Sequence, residues 1–228
     1  KGFTFRDLTD DIPSIQKHWQ SEGIKFDAIY TGYLGSIKQI NMVIDILKTM
    51  GKDNFVKIID PAMGDNGKLY SIFDVEYALE MAKLCAEADI VLPNITEACF
   101  MTGMEYKEVY DKAYVLELIA ALRAKGMKTI VLTGVTYNDE TTGVVVAEGD
   151  GYEYYEHKKL AKGSHGTGDV FASAFTGAYL HGKTVFEAAG IAAEYTLKCM
   201  ENTQGDADHW YGVKFEPVLK DLIKALDD

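Results

Sequence analysis

Residues 26–51 read FDAIYTGYLGSIKQINMVIDILKTMG, and this stretch decides the fold. Phe26 to Gly35 is an apolar run that ends in a glycine turn, the pattern of a buried strand. Ile37, Ile40, Ile44 and Leu47 then recur at helical spacing, with Ser36 placed to cap the helix and Gly51 to stop it.

The same strand-then-helix unit repeats along the chain. VKIID (56–60) is followed by the polar loop PAMGDNGKLY (61–70) and the helix DVEYALEMAKLCAEA (74–88). DIVLPN (89–94) precedes the helices TEACFMTG (96–103) and KAYVLELIAALRAKG (112–126), and KTIVLT (128–133) is the next strand. Such alternation predicts an α/β fold with a mostly parallel sheet and crossover helices. TTGVVVAEGDGYEYYEHKK (141–159) holds two β-rich runs around Gly149-Asp150-Gly151, which predicts a hairpin and an antiparallel edge. Helices over 169–182 and 184–202 are expected to close the chain. Four prolines and no low-complexity tract give no domain boundary, so one domain is expected over the 228 residues.

The overall charge is −12, from 35 acidic and 23 basic residues, which argues against nucleic acid or an anionic membrane surface as partner. No apolar run approaches the roughly 18 residues needed to cross a bilayer. Cys85, Cys99 and Cys199 are odd in number and far apart, with no C-x-x-C pair, which fits a reducing cytoplasm better than a disulfide framework.

In an open α/β sheet ligands bind beyond the carboxyl ends of the strands, so the residues following each apolar run carry the chemistry. Asp60 ends one strand and Asp65 follows in its loop; they could hold Mg²⁺ or its waters, or Asp60 could simply shape the turn before Pro61. Asn94-Ile-Thr96-Glu97 follows another strand. Thr96 is a candidate helix cap, Glu97 a candidate first-turn carboxylate, and Asn94 could orient metal-bound water. Thr133-Gly134 ends the third strand, where turn chemistry and phosphate contact are both open readings.

The strongest signal is Gly163-Ser-His-Gly166-Thr167-Gly168-Asp169, which leads directly into the apolar helix VFASAFTGAYL. Closely spaced glycines before a helix let backbone N–H groups converge on an anion, aided by the helix dipole. The run lacks the Gly-Lys-Ser/Thr ending of a P-loop, and it follows the edge hairpin rather than the first strand of a dinucleotide fold. A carboxylate inside an anion-binding turn makes sense if Asp169 takes a proton from a hydroxyl while the amides stabilise a transferring phosphoryl group. The alternative is an ordinary first-turn carboxylate. His165 has no evident nucleophile partner and is read as structural.

Asp60-Pro61, Asn94-x-x-Glu97 and Gly166-Thr-Gly-Asp169, in that order along the chain, resemble the ribokinase superfamily. Thr31-Gly-Tyr33-Leu-Gly-Ser36 and Asp60-Pro-Ala-Met-Gly-Asp65 resemble its pyridoxal/pyridoxamine kinase branch, over about Phe26 to Phe215. The resemblance implies a three-layer α/β/α ribokinase-like fold and MgATP-dependent phosphorylation of the 5′-hydroxymethyl group of a B6 vitamer. It implies Asp169 as base, with Gly166, Thr167 and Gly168 as the anion hole and Tyr33 against the pyridine ring. Asp60, Asp65 and Glu97 would manage Mg²⁺, partly through water, and the triphosphate. Leu92, Asn94 and Thr133 would line the nucleotide path, with Lys159 and Leu160 at its border. A monovalent cation is a further candidate cofactor and a homodimer is expected.

The family also has a first strand and substrate-covering elements upstream of the matching region. The chain is therefore expected to be an N-terminally incomplete kinase domain that binds substrate poorly by itself. The rival readings are a hydroxymethylpyrimidine or sugar kinase of the same superfamily, and a non-catalytic module that binds a B6 vitamer or nucleotide.

Overall fold

The computed structural model describes residues 4–160, 165–206 and 208–227. A short 3-10 turn at Thr9–Asp11 leads into α1 (Ile12–Ser21), which starts with Pro13 in its first turn. The strand and helix of the opening stretch are β1 (Phe26–Thr31) and α2 (Ile37–Thr49), and the Ser36 hydroxyl accepts the Gln39 N–H as expected of a cap. Gly51 is not the helix stop. Met50 closes α2, and Gly51 opens β2 (Gly51–Ile59), a strand longer than VKIID whose polar residues Lys52, Asp53 and Asn54 are exposed and so leave no apolar pattern to read.

The loop after β2 is a small antiparallel hairpin, β3 (Gly64–Asp65) and β4 (Lys68–Leu69). Asn66 and Gly67 turn it with φ of 51° and 74°. Two successive left-handed residues make the tight turn whose twist matches a hairpin, and Asn-Gly is its preferred sequence. α3 (Val75–Ala86) is capped by Asp74, β5 (Ile90–Val91) is brief, and α4 (Ile95–Thr102) ends on the left-handed Gly103. α5 (Lys112–Ala124), capped by Asp111, precedes β6 (Thr129–Val135). β7 (Thr141–Glu148) and β8 (Gly151–Lys158) form the expected hairpin, turning at Gly149 with a φ of 52°.

α6 (Thr167–Leu180) and α7 (Val185–Thr203) do not close the chain. A 3-10 turn at Glu216–Val218 and α8 (Leu219–Asp227) follow them. Leu222 and Leu226 of α8 pack against the α6–α7 layer.

The six-stranded sheet runs β1-β2-β5-β6-β7-β8. The first three pairings are parallel and the last two antiparallel. Successive strand residues point to opposite faces. Ile59, Val91, Ile130, Leu132 and Val145 meet α2, α3, α4 and α5, whereas Ile58, Ile90, Leu92, Val131 and Val144 meet α6 and α7. Two separate cores on either side of one sheet make the three-layer α/β/α architecture. Among the described residues no helix is long and apolar enough to cross a membrane.

Candidate active site

β2, β5 and β6 run parallel, so the loops that follow them leave one end of the sheet together. Antiparallel pairing brings Gly143 and Val144 of β7 to that same end. There a cleft of about 380 Å³ is lined by Asp60, Asp65, Leu92, Asn94, Glu97, Thr133 and Gly166 to Asp169. The structure therefore joins four stretches that are well apart in sequence.

Asp60 is buried, its N–H donates to Thr31 O, and its Oδ1 accepts the Ala62 N–H at 3.1 Å. The turn-shaping role is thus real, and it does not exhaust the residue. Burial pushes the Asp60 carboxyl up to about 6, with the Asp169 charge adding to the shift and the Ala62 N–H opposing it. Ala62, also in the lining, holds a φ of 26° although it carries a Cβ. Backbone strain of this kind persists only where the surroundings enforce it.

Asn94, not Thr96, caps α4. Its side chain accepts the Glu97 N–H at 2.9 Å while Glu97 Oε2 accepts the Asn94 N–H at 2.8 Å, a reciprocal capping box. Glu97 Oε1 accepts the Met63 N–H at 3.0 Å. Glu97 is almost fully buried, and burial together with the Asp60 charge pushes its carboxyl up to about 8 against the pull of these N–H donors. Thr96 instead accepts the Gly67 N–H, and Asn94 Nδ2 donates to Gly64 O, so α4 pins the β3–β4 hairpin at two points. A side chain at Gly67 would meet the Tyr106 ring at 2.6 Å, so the pinned hairpin needs glycine there for space as well as for its φ.

The N-terminus of α6 is built differently. Gly166, at a φ of 76°, supplies no side chain to cap the helix. The first amides of a helix have no partner within it, and they carry the positive end of its dipole. Asp169 stands in this first turn and is exposed to the cleft. Gly163 and Ser164, from the start of the glycine-rich run, lie outside the described residues.

Three expected site residues do not line the cleft. Tyr33 lies on the loop after β1, 49% exposed, with its ring 5.6 Å from Phe73. β8 ends at Lys158; Lys159 is exposed, with its N–H bound to Glu140 O, and Leu160 is partly buried beyond the strand end. It is His157 that reaches the cleft from β8. His165 also lines it and is exposed, so the structural reading of that residue is not supported. Tyr70, at the end of the loop that begins at Asp65, also lines the cleft; sequence reasoning missed His157 and the α7 wall of Ala193, Thr196, Leu197 and Met200. The α7 residues are spaced at helical intervals, but such a stripe does not say whether it faces core or cleft.

Asp60, Asp65, Glu97 and Asp169 surround the cleft with no lysine or arginine among its described lining residues. Burial raises the Tyr70 hydroxyl above its ordinary value, and all four carboxylates add to that shift. Among the described residues no three ligating side chains converge on one point. The acidic lining suits a cation that keeps most of its shell as water and phosphate oxygens, as Mg²⁺ does. Both Glu97 oxygens accept backbone N–H groups, whereas Asp60 accepts through Oδ1 from Ala62 and the exposed Asp65 accepts only from its neighbour Asn66, so Asp60 and then Asp65 are the carboxylates better placed to meet a cation or its waters.

The phosphomethylpyrimidine kinase family matches residues 5–213. The chain belongs to this family. Among curated relatives, pyridoxal kinase of Dictyostelium discoideum is 28% identical over 164 residues, covering 65% of this chain and 52% of that protein. The hydroxymethylpyrimidine/phosphomethylpyrimidine kinase of Bacillus subtilis is 26% identical over 187 residues, 81% of this chain and 67% of that protein. This chain therefore spans between about half and two thirds of these two relatives. Among solved structures, a candidate phosphomethylpyrimidine kinase from Bacteroides thetaiotaomicron is 35% identical with a TM-score of 0.93, covering 97% of this chain and 78% of that one. A second crystal form of that protein, with a TM-score of 0.91, was obtained with pyridoxal. This phosphomethylpyrimidine kinase family chain thus has a ribokinase-like fold, with its described cleft at the end of the sheet where the three loops meet.

Proposed function

We propose that the protein transfers the γ-phosphoryl group of ATP to the 5′-hydroxymethyl group of a B6 vitamer: pyridoxal, pyridoxamine or pyridoxine. The observation that carries this reading is the α6 N-terminus, where a carboxylate and a glycine-capped helix start share four consecutive residues and open on one cleft. Asp169 accepts the acceptor hydroxyl proton as that oxygen attacks the γ-phosphorus. The bond to the β–γ bridging oxygen breaks and ADP leaves. The amides of Gly166, Thr167 and Gly168 stabilise the charge on the transferring group. Leu92, Asn94 and Thr133 line the nucleotide path, and Tyr33 packs on the vitamin ring. A bound Mg²⁺, held through Asp60 and Asp65 and their waters with Glu97 behind them, would neutralise phosphate charge.

The choice of a B6 vitamer is supported by the Thr31–Ser36 and Asp60–Asp65 sequences and by the relative crystallised with pyridoxal. A second reading, hydroxymethylpyrimidine as acceptor, is favoured by the family's own description and by the Bacillus relative. ADP release measured with pyridoxal, pyridoxamine, pyridoxine, hydroxymethylpyrimidine and ribose separates them. Turnover with the B6 vitamers at least about tenfold above the others in kcat/KM, some 1.4 kcal/mol of discrimination, is expected. Fast turnover confined to hydroxymethylpyrimidine or ribose overturns the assignment.

A further inference from the structure

A chain of aromatic rings ties the loop after β1 to the segment that carries the β3–β4 hairpin. Phe73 is its centre, stacked on Tyr77 at 3.9 Å and 15°, with Tyr33 at 5.6 Å and Tyr70 at 6.4 Å. Tyr77 sits in the first turn of α3, buried, with its N–H held by the Asp74 cap. Its hydroxyl donates to Leu34 O at 2.6 Å, and on the far side of the same peptide unit Gly35 N–H donates to Gln39 Oε1 at 2.6 Å. The Leu34–Gly35 peptide, one residue beyond Tyr33, is therefore gripped by a side chain at each of its two polar atoms, one from α3 and one from α2. On the hairpin side, Phe73 N–H donates to Tyr70 O and Tyr70 N–H to Met63 O, and Met63 N–H binds Glu97.

We propose that Tyr77 is a positioning residue for the acceptor substrate. It fixes the plane of the Leu34–Gly35 peptide so that Tyr33 presents its ring to the acceptor, and Phe73 locks that ring to the Tyr70 segment. An exposed aromatic side chain on a loop has several rotamers open to it, and a preset geometry lowers the ordering cost of binding. The inference rests on the reading of Tyr33 as an acceptor contact, so Tyr33→Ala is measured beside the wild type.

The test is Tyr77→Phe in the whole protein, which removes one oxygen and keeps the ring stack. With pyridoxal as acceptor, its KM should rise about fivefold, the effect of one lost hydrogen bond, while kcat and the KM for ATP stay within about twofold. Gln39→Leu, which releases the opposite side of the same peptide, should raise the acceptor KM in the same direction. The double variant should lose less than the product of the two. A merely structural role would lower Tm without this split between acceptor and nucleotide. If Tyr33→Ala raises the acceptor KM and Tyr77→Phe and Gln39→Leu do not, the positioning role is overturned and the function stands. If the wild type shows no pyridoxal-dependent ADP release, or Tyr33→Ala leaves the acceptor KM unchanged, the acceptor reading has failed and the inference falls with it.

Discussion

Two helices begin at the same cleft, and each carries an acid at the third residue of its first turn: Glu97 in α4 and Asp169 in α6. In α4 the cap is Asn94, the box closes on itself, and Glu97 is nearly fully buried with both oxygens bound to N–H groups. In α6 the cap is Gly166, which has no side chain to bind the helix N–H groups, and Asp169 is exposed. The same residue class at the same helical position is spent on the helix in one case and left facing the cleft in the other. What separates them is the residue three positions earlier, a side-chain cap or a glycine. A helix start with its own cap adds stability, and one without it offers its amides to an anion.

The largest expected contrast comes from removing each acid in turn. Asp169→Asn should lower kcat by about 10²- to 10⁴-fold, as expected for loss of a general base, with nucleotide binding within a few fold of wild type by calorimetry. Its Tm should barely move. Unchanged turnover would remove Asp169 from the mechanism and leave the two helix starts equivalent. Glu97→Ala should act on stability instead. It strands the buried Met63 N–H and the partly buried Asn94 N–H and empties a packed site, for about 2–4 kcal/mol measured by denaturant unfolding.

The buried acid should also set a pH dependence. Burial raises the carboxyls of Glu97, to about 8, and Asp60, to about 6, above the unfolded values of 4.5 and 3.8. The folded state then keeps protons that the unfolded state has released. The pair's contribution is full below about pH 4 and is lost as pH rises through about 6 and about 8. Without added divalent cation, unfolding midpoints should fall between pH 5 and 8.5, and Glu97→Gln should flatten the upper part of that fall. A midpoint that rises over this range contradicts the assignment.

The smallest effect should come from Gly166→Ala. A Cβ there meets nothing within 4 Å, so the cost is the left-handed φ alone, about 1 kcal/mol. A larger loss in nucleotide affinity than in stability would sharpen the view that this backbone is shaped for a ligand.

Most of this contrast was legible in the sequence, because caps and glycines are local signals. Gly166, Gly168 and Asp169 could be read directly, and so could Ser36 as a cap. Asn94 could have been identified as the α4 cap, but Thr96 competes for the part with an equally suitable side chain, and only the helix start at Ile95 decides between them. Gly51 was misleading since a glycine after an apolar helix is the usual stop signal, whereas here it opens a strand whose outer half is polar. Asn66-Gly67 carried a hairpin signal, but with strands of only two residues there was no alternation to support it. The burial of Glu97 and the α7 wall of the cleft were out of reach, because both depend on which distant element packs against them. Tyr77 reaching Leu34 across 43 residues is of the same kind.

On this reading the glycine-capped start of α6, and not the closed start of α4, receives the phosphates. A crystal structure with Mg²⁺ and a non-hydrolysable ATP analogue tests it directly. γ-Phosphate oxygens are expected within hydrogen-bonding distance of the Gly166, Thr167 and Gly168 amides, with the Asp169 carboxylate facing the acceptor side of the γ-phosphorus. An analogue whose phosphates lie elsewhere, with those amides facing only water, would contradict it.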